Sequence, residues 1–206
     1  MARDTGSIVK MSRREGYALH PKAHKALVKR TSLPGQKPGY MSRNKPSQYA
    51  LQLREKQKVK RLYGLLERQF RNLMTEAAQS RGQSGQILLQ FLELRIDNVV
   101  YRAGFAVSRR ASRQLVSHGH FLLNGKRVDV PSIRVKVGDV IEAREHSKGT
   151  EYFKKLDEAS PSSPNDLPSW LKVNRKKVEI TVSGTPDREH AEPDINEQLI
   201  VEYYSR

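Results

Sequence analysis

The segment SRRASRQLVSHGHFLLNGKRV, residues 108–128, constrains the fold more than any other part of this sequence. Ser108 can cap the start of a helix, because a serine hydroxyl accepts a hydrogen bond from the backbone N–H groups of the first turn. Gly119 is typical of a helix end, where the backbone turns left-handed. Asn124-Gly125 stands between two strand-like runs, which is the strongest short-range signal of a β-hairpin. The segment therefore predicts a helix over 108–118 followed by an antiparallel hairpin.

This small module also carries five cations, Arg109, Arg110, Arg113, Lys126 and Arg127. The chain of 206 residues has 38 Lys and Arg against 22 Asp and Glu, a net charge of +16. Charge of one sign opposes the compact state by self-repulsion, so we expect a polyanion to neutralise it. Clustered basic residues are typical of nucleic-acid binding, and they predict a phosphate backbone as the partner.

The same composition excludes several other classes of partner and site. No apolar run approaches the ~20 residues that span a bilayer. The N-terminal MARDTGSIVKMSRREGY lacks the apolar core of a secretory signal, so no membrane contact is predicted. The chain has no cysteine, which rules out disulfides and thiolate zinc sites. His20 and His24 have an i, i+4 spacing but no third ligand, so no metal and no other cofactor is predicted.

Residues 1–45 are predicted to be an extended basic arm. They contain few apolar residues, show no sustained period, and include the turn signals Pro34-Gly35 and Pro38-Gly39. A segment of this composition cannot bury enough surface to fold alone, so we expect it to become ordered only against a partner. Its candidate phosphate-binding residues are Arg3, Arg13, Arg14 and Arg43.

Residues 47–80 show the clearest helical period. Apolar side chains recur at steps of three and four from Val59 to Ala77, which predicts one helix with a buried stripe. Ser47 is its candidate cap and Gly64 a candidate kink, while Leu65 departs from the stripe and lies among the cations. The cations of this helix are predicted to contact phosphate. They are Arg54, Lys56, Lys58, Arg61, Arg68 and Arg71.

The remaining segments complete an α+β pattern. A helix is predicted over 90–104, so that it forms a helix-turn-helix-like pair with the helix over 108–118. Strands are predicted in RVKVGDVIEA, with a turn at Gly138-Asp139, and in residues 176–184. The predicted architecture is two helices followed by a small antiparallel sheet.

The surface formed by the 108–118 helix and the hairpin suits RNA better than B-DNA. The first turn of a helix offers partly positive backbone N–H groups beside its arginines, and no long recognition helix is present to enter a major groove. Structured RNA is recognised through phosphates, 2′-hydroxyls and shape. Besides the five cations, the candidate RNA-binding residues here are Gln114, Ser117, His118, His120 and Asn124.

Catalysis has no support in the sequence. GQSGQ at 82–86 lacks the Lys-Ser/Thr end of a phosphate-binding loop. No serine or carboxylate is placed as a nucleophile with a base and an orienting group. The chain is therefore predicted not to be an enzyme.

RIDNVVYRAGFAVSRRASRQLVSHGHFLLNGKRVDVPSIRVKVGDVI, residues 95–141, resembles the alpha-L RNA-binding domain. KPSQYALQLREKQKVKRLYGLLERQF at 45–70, DINEQLIVEYYSR at 194–206 and MSRREG near the start resemble the bacterial-type small-subunit ribosomal protein four family. The resemblance implies a helical domain with an inserted alpha-L domain, in which two helices pack on a small antiparallel sheet. The expected domains are an extended segment 1–45, a helical domain 46–92 completed by about 190–206, and a second domain 93–189 with the RNA-binding module at about 94–155.

The resemblance also implies a function and partners. A family member is expected to be a structural constituent of the small ribosomal subunit that binds its rRNA early and nucleates assembly of the subunit body. It is expected to contact neighbouring small-subunit protein five, to lie near mRNA where it enters the ribosome, and to affect decoding accuracy; some members bind their own operon mRNA. Many members hold a metal through N-terminal cysteines, so this chain is expected to be a metal-free variant. The expected location is the cytoplasm, with an organellar ribosome as the alternative.

Two other classes of protein use the same module. An RNA-modifying enzyme would need a large catalytic domain, but only about fifty residues follow position 155, too few for a domain of ordinary size. A free RNA chaperone is the other alternative, and the long basic helix and C-terminal tail argue against it.

Overall fold

The computed structural model describes residues 5–30, 32–35, 45–160 and 167–205, so that Arg3 and Arg43 lie outside the described residues. The chain forms two compact units. Unit 1 comprises Met1–Leu88 with Pro193–Arg206, and unit 2 comprises Leu89–Glu192. Unit 1 is helical and unit 2 contains an antiparallel sheet, which confirms the predicted α+β class.

Unit 1 is built from helices of both ends of the chain. They are α1 (Ile8–Glu15), α2 (Pro21–Lys29), α3 (Gln48–Leu62), α4 (Glu67–Gln79), the first half of α5 (Ser84–Glu93), and α11 (Glu197–Tyr204). The described part of the chain contains no helix with the length and apolar content that a bilayer crossing requires.

The expectation of an extended arm is wrong for residues 8–29, which form α1 and α2. Gly16 ends α1 with a φ of 63°, and the His20 side chain caps α2 by accepting a hydrogen bond from the Lys22 N–H at 3.0 Å. The two helices pack on each other and α1 packs on α3, which buries Ala23 completely and Leu19 almost completely. Each helix has only eight or nine residues, so its apolar positions are too few to form a sustained period in the sequence.

The expectation of one helix over 47–80 is also wrong, because the chain leaves the helix between Leu62 and Glu67. Ser47 does cap α3, accepting from the Ala50 N–H at 3.3 Å. Gly64 follows the helix end with a φ of 66°, a left-handed conformation that glycine adopts without strain. The turn rotates Leu65 into the core, where it is 2% exposed. Its departure from the helical stripe therefore marked the break between two helices.

The C-terminal helix completes unit 1 by binding α3. Gln52 Nε2 donates to Glu202 at 2.8 Å, and Lys58 Nζ donates to the Asp194 carbonyl at 2.6 Å. The apolar side of α11 places Ile200 in the core of the unit, where it is fully buried. The segment near the C-terminus is thus a helix packed on α3.

Glu67 at the start of α4 gives unit 1 a pH-dependent contact. Burial alone would raise its pKa, but hydrogen bonds from Lys56 at 2.7 Å and Lys60 at 2.9 Å, and the charges of both ammonium groups, hold the pKa at about 2. The unfolded pKa near 4.5 is higher, so this contact stabilises the fold fully above about pH 4.5 and is lost as the pH falls towards 2.

We therefore expect the free energy of unfolding to decline over this acid range by more in the unchanged protein than in Glu67→Gln. Urea unfolding of both proteins at a series of pH values measures the difference. Parallel pH profiles would contradict the assigned role of Glu67.

Unit 2 contains the second half of α5 and all the strands of the described chain. Its helices are α6 (Ile96–Arg102), α7 (Arg109–Ser117), α8 (Glu145–Lys148), α9 (Glu151–Lys154) and α10 (Leu156–Ala159). Its strands are β1 (Phe121–Leu123), β2 (Lys126–Val128), β3 (Val140–Ala143), β4 (Leu171–Asn174) and β5 (Glu179–Val182). They form one antiparallel sheet in the order β2-β1-β3-β5-β4.

The helix predicted over 90–104 is divided into α5 and α6 by a short pairing with a distant segment. Arg95 forms an isolated antiparallel bridge with Arg134. The Val135 N–H donates to the Leu94 carbonyl at 2.9 Å, and the Ile96 N–H donates to the Ile133 carbonyl at 2.9 Å. These bonds replace helical ones, so a segment about forty residues away sets the break.

The sheet extends beyond the module that the sequence predicts to end near residue 155. The strand predicted in 176–184 is confirmed as β5, and it pairs with β3 and β4. The sheet covers a core that includes Phe105, Phe121, Ile141 and Ile180, all fully buried. Residues after the module are therefore part of the same folded unit.

Candidate nucleic-acid interface

Helix α7 presents one exposed polar face. Ser108 caps the helix by accepting from the Ala111 N–H at 3.3 Å, while Ser112 and Val116 point into the core and are fully buried. Four residues on the opposite side are exposed to solvent, and they follow one another at spacings of four, three and one. These residues, Arg110, Gln114, Ser117 and His118, are called the α7 face below.

Arg109 belongs to the interior of unit 2 and not to the α7 face. Its guanidinium donates to Glu192 at 2.8 Å and to Asn98 Oδ1 at 2.9 Å, and it lies 4.6 Å from the centre of the Tyr101 ring. Only 12% of the side chain is exposed. Its charge is therefore neutralised by a carboxylate of the same unit.

Arg113 is held inside in the same way. Its Nη1 lies 3.3 Å from Asp97 Oδ2, and that carboxylate also receives two hydrogen bonds from Arg95, at 2.8 and 3.1 Å. Burial lowers the pKa of Arg113, while the charge of Asp97 opposes the shift. The Ser112 hydroxyl donates to the Asp97 carbonyl, so Asp97 joins α6 to α7 through both its side chain and its backbone.

Glu93 is the deepest charged group of this network. It is 1% exposed and accepts two hydrogen bonds from Arg102, at 2.8 and 3.0 Å. Asn98 Nδ2 donates to the same carboxylate at 2.7 Å, and its Oδ1 accepts from Arg109. The end of α5, α6 and the start of α7 are therefore joined by one chain of buried polar contacts.

The hairpin follows the sequence prediction closely. Asn124 and Gly125 have φ values of 51° and 78°, the left-handed pair of a two-residue type I′ turn. Phe121 pairs with Val128 and Leu123 with Lys126, so the turn lies directly between β1 and β2. The four exposed residues Asn124, Gly125, Lys126 and Arg127 form the hairpin turn surface.

Gly119 brings the hairpin to the end of α7. A Cβ at this position would lie 2.6 Å from Arg127 Nε and 2.8 Å from Nη2, so the guanidinium covers the glycine. The Gly119 backbone has a φ of 69°, which ends the helix. A cation at a helix C-terminus is favoured by the helix dipole. Arg127 therefore joins the hairpin turn surface to the C-terminal end of the α7 face.

Arg144 was missed by the sequence reasoning. Its Nη1 donates to the Gly119 carbonyl at 3.3 Å, and its backbone N–H donates to the His120 carbonyl at 2.9 Å. The antiparallel register pairs Phe121 with Ala143, which places Arg144, the residue after the end of β3, beside His120. If the pairing of β1 with β3 had been predicted from the sequence, Arg144 would have been recognised as a residue of this interface.

His120 supports the interface from behind. It is half-buried, its Nδ1 lies 3.0 Å from the Ser147 hydroxyl, and its ring packs edge-on against Phe153. Burial, and after it the electrostatic influence of His118, Arg144 and His146, lowers its pKa. His120 therefore packs behind the interface, whereas His118 is exposed on the α7 face.

Five of the eight described cations that the sequence assigns to phosphate in unit 1 have internal partners. Lys56 is buried, 2.7 Å from Glu67 and 4.6 Å from the Tyr203 ring centre. Lys58 pairs with Glu55 at 2.8 Å. Arg13 donates to the Ser32 carbonyl at 2.8 Å.

Arg54 and Arg61 of α3 meet on one carboxylate. Arg54 lies 3.2 Å from Glu15 Oε1, and Arg61 contacts the same oxygen. The Glu15 side chain has no exposed surface, and burial raises its pKa against the opposing charges of the two arginines. This contact fastens α1 to α3.

The exposed candidates of unit 1 are Arg14, Arg68 and Arg71. Arg68 and Arg71 lie one turn apart on α4, and Arg14 lies on α1. Within the described ranges, no group of three or more His, Asp or Glu side chains is arranged to hold a metal ion.

Comparison with known proteins identifies the family. The profile of the "Ribosomal protein S4/S9 N-terminal domain" matches residues 3–93, and that of the "S4 domain" matches residues 94–141. Proteins named "Small ribosomal subunit protein uS4" from Herpetosiphon aurantiacus and Chlorobium limicola are 50% and 48% identical to this chain, over the full length of both chains in each case. A third uS4 protein, from Chlorobium phaeovibrioides, is 50% identical over the same extent. The chain therefore belongs to the uS4 family of small ribosomal subunit proteins.

Proposed function

We propose that this protein is a structural constituent of the small ribosomal subunit that binds small-subunit rRNA. The observation that carries the proposal is the continuity of the α7 face with the hairpin turn surface, which leaves Arg110, Lys126 and Arg127 exposed. Exposed cations beside a helix with hydrogen-bonding side chains suit the phosphates and 2′-hydroxyls of folded RNA. The full-length similarity to uS4 proteins supports the same role.

The two units suggest how the protein contacts RNA. We propose that unit 2 is the inserted RNA-binding domain, with its module at about 94–155, and that unit 1 is the helical domain completed by the C-terminus. Unit 1 offers Arg14, Arg68 and Arg71 as further phosphate contacts. A protein that binds through two units can order two regions of RNA at once, which supports an early, nucleating role in assembly of the subunit body.

The finer partners are part of the proposal. They are neighbouring small-subunit protein five, mRNA where it enters the ribosome, and the chain's own operon mRNA, with an influence on decoding accuracy through protein five. We place the protein in cytoplasmic small subunits. The uS4 family is a family of ribosomal proteins and not a class of enzymes, and we propose no catalytic role.

The proposal predicts that the protein co-sediments with small ribosomal subunits through a moderate-salt wash. Binding through several phosphates in a folded complex is expected to survive salt that removes loosely bound basic proteins. Quantifying the chain across a sucrose gradient measures this. Recovery only in the soluble fractions would contradict the ribosomal role.

A footprint on purified small-subunit rRNA identifies the contacted nucleotides. We expect protection confined to one region of folded rRNA and unchanged by excess unrelated RNA. Protection spread uniformly over the transcript would indicate a general RNA chaperone.

A further inference from the structure

Asn124 combines two properties that favour a spontaneous chemical change. It is the one asparagine of the sequence that is followed by glycine, and both residues are exposed at the tip of the hairpin. A glycine after asparagine leaves the next backbone nitrogen unhindered, so that this nitrogen can attack the asparagine side chain. The other features of the turn then decide how fast that happens.

Both polar atoms of the Asn124 carboxamide are hydrogen-bonded, one to the turn before β3 and the other to the first residue of β3. Its Nδ2 donates to Asp139 Oδ1 at 2.8 Å, and its Oδ1 accepts from the Val140 N–H at 2.9 Å. Asp139 is itself fixed, because its Oδ2 accepts from the Lys136 N–H at 2.7 Å. The backbone of Asn124 is anchored as well, its N–H donating to the Val140 carbonyl at 2.8 Å.

We propose that Asn124 is a site of spontaneous deamidation and that the hydrogen bond to Asp139 holds the reaction slow in the folded protein. The Gly125 nitrogen loses its proton to solvent base and attacks Cγ of Asn124. The Cγ–Nδ2 bond breaks, and Nδ2 takes a proton from water and leaves as ammonia. Water then opens the resulting succinimide ring at either carbonyl to give aspartate or isoaspartate. No electrons are gained or lost in these steps.

The structure opposes ring closure in two ways. Cγ can approach the Gly125 nitrogen only if the carboxamide rotates away from Asp139 and Val140, which breaks both of its hydrogen bonds. The left-handed φ of 51° at Asn124 is fixed by the hairpin, so the backbone cannot adjust freely to the ring. A hydrogen bond to a charged carboxylate is stronger than one between neutral groups, so Asp139 supplies the larger part of the restraint.

The product would disturb the turn that it forms in. The reaction replaces a donor facing Asp139 by a carboxylate, so two like charges would meet where a 2.8 Å hydrogen bond now stands. Isoaspartate would in addition lengthen the backbone at the turn and break the β1–β2 register. The Asp139 restraint therefore preserves the hairpin turn surface, and this inference does not depend on what that surface binds.

Deamidation of the purified full-length protein at mildly alkaline pH tests the proposal. The peptide containing Asn124 is followed by mass spectrometry, with isoaspartate measured by methyltransferase labelling. Asp139→Ala is expected to deamidate about ten times faster than the unchanged protein, which corresponds to about 1.4 kcal/mol of lost restraint. Asp139→Asn keeps one acceptor oxygen but loses the charge and the second acceptor, so its rate is expected to lie between those of the unchanged protein and Asp139→Ala.

Two comparisons keep the outcome decisive. In denaturant, all three proteins are expected to deamidate at one fast rate, while Asn174, an exposed asparagine followed by arginine, remains unmodified. Fluorescence of Trp170, which is buried in unit 2, shows that each variant is folded under native conditions. Equal rates in the native and denatured unchanged protein, or equal native rates for Asp139→Ala and the unchanged protein, would overturn the proposal.

Discussion

Replacing Arg110, Lys126 and Arg127 together by alanine is expected to lower the affinity for small-subunit rRNA about 100-fold at physiological salt. Each of these exposed cations is expected to contribute roughly 1 kcal/mol or somewhat more through a charge-assisted contact with phosphate. Since 1.4 kcal/mol is a tenfold change in affinity, three such losses give an effect of this size. All three side chains are exposed, so the fold should be little affected even though the Arg127 guanidinium covers Gly119.

The salt dependence of binding separates phosphate contacts from other causes of weak binding. Each phosphate contact adds roughly 0.7–0.9 to the slope of log affinity against log salt concentration. The triple variant should therefore bind with a slope that is shallower by about 2 to 3. Filter binding of labelled rRNA over a range of KCl concentrations measures the affinity and the slope in one experiment.

A variant of equal charge provides the control. Lys154, Lys155 and Lys177 are exposed in the same unit but lie outside the α7 face and the hairpin turn surface. Replacing these three lysines by alanine is expected to change the slope little. If both triple variants reduced the slope equally, the net charge of the unit would govern binding, and the assignment of this surface would be wrong.

Arg109 and Arg113 are expected to behave differently from Arg110, although all three are close in sequence. Arg109 is paired with the half-buried Glu192, and Arg113 is paired with the buried Asp97. Replacing either arginine by alanine should mainly lower the free energy of unfolding of unit 2 and should have little direct effect on RNA binding. The salt slope of the protein that remains folded should be nearly unchanged.

Local signals in the sequence were sufficient to predict α7 and the hairpin. Ser108, Gly119 and Asn124-Gly125 each act on their own few residues, through a cap, a left-handed helix end and a left-handed turn pair. Such effects hardly depend on the rest of the chain, so they can be recognised before the fold is known.

The partners of the arginines could not be predicted, because they depend on contacts that are distant in sequence. Arg109 and Glu192 are 83 residues apart, and Arg54 and Glu15 are 39 apart. A helical wheel places Arg109 on the side of the buried Ser112 and Val116, about 100° from Arg110, but only the tertiary fold supplies the carboxylate that pairs with it. Helices α1 and α2 were missed for a related reason, because helices of eight and nine residues are marginal alone and packing against a neighbour stabilises them.

Glu93→Gln is expected to lower the free energy of unfolding of unit 2 by about 3 kcal/mol, because it removes the closer and more deeply buried of the two carboxylates that Arg102 contacts and leaves Glu192 at 3.6 Å. The glutamine amide would also direct a donor at Arg102 or Asn98, which already donate to both oxygens of Glu93. For a domain of this size, such a loss lowers the melting temperature by about 12 °C or more.

Trp170 makes this loss measurable in unit 2 alone. It is the single tryptophan of the chain and is 3% exposed in the core of that unit. Its fluorescence during thermal or urea unfolding therefore reports on unit 2 without interference from unit 1. Glu151→Gln makes the same chemical change at an exposed salt bridge with Lys155 and is expected to cost less than about 1 kcal/mol.

A double replacement then distinguishes the loss of the Glu93–Arg102 charge pair from a general packing defect. If the cost of Glu93→Gln arises from the charge left on Arg102, replacing both residues by leucine should destabilise unit 2 by less than the sum of the two single leucine replacements. Additive costs would show that the two side chains stabilise the fold independently. The buried network would then be a set of separate contacts, and Glu93 would not be the group that holds α5, α6 and α7 together.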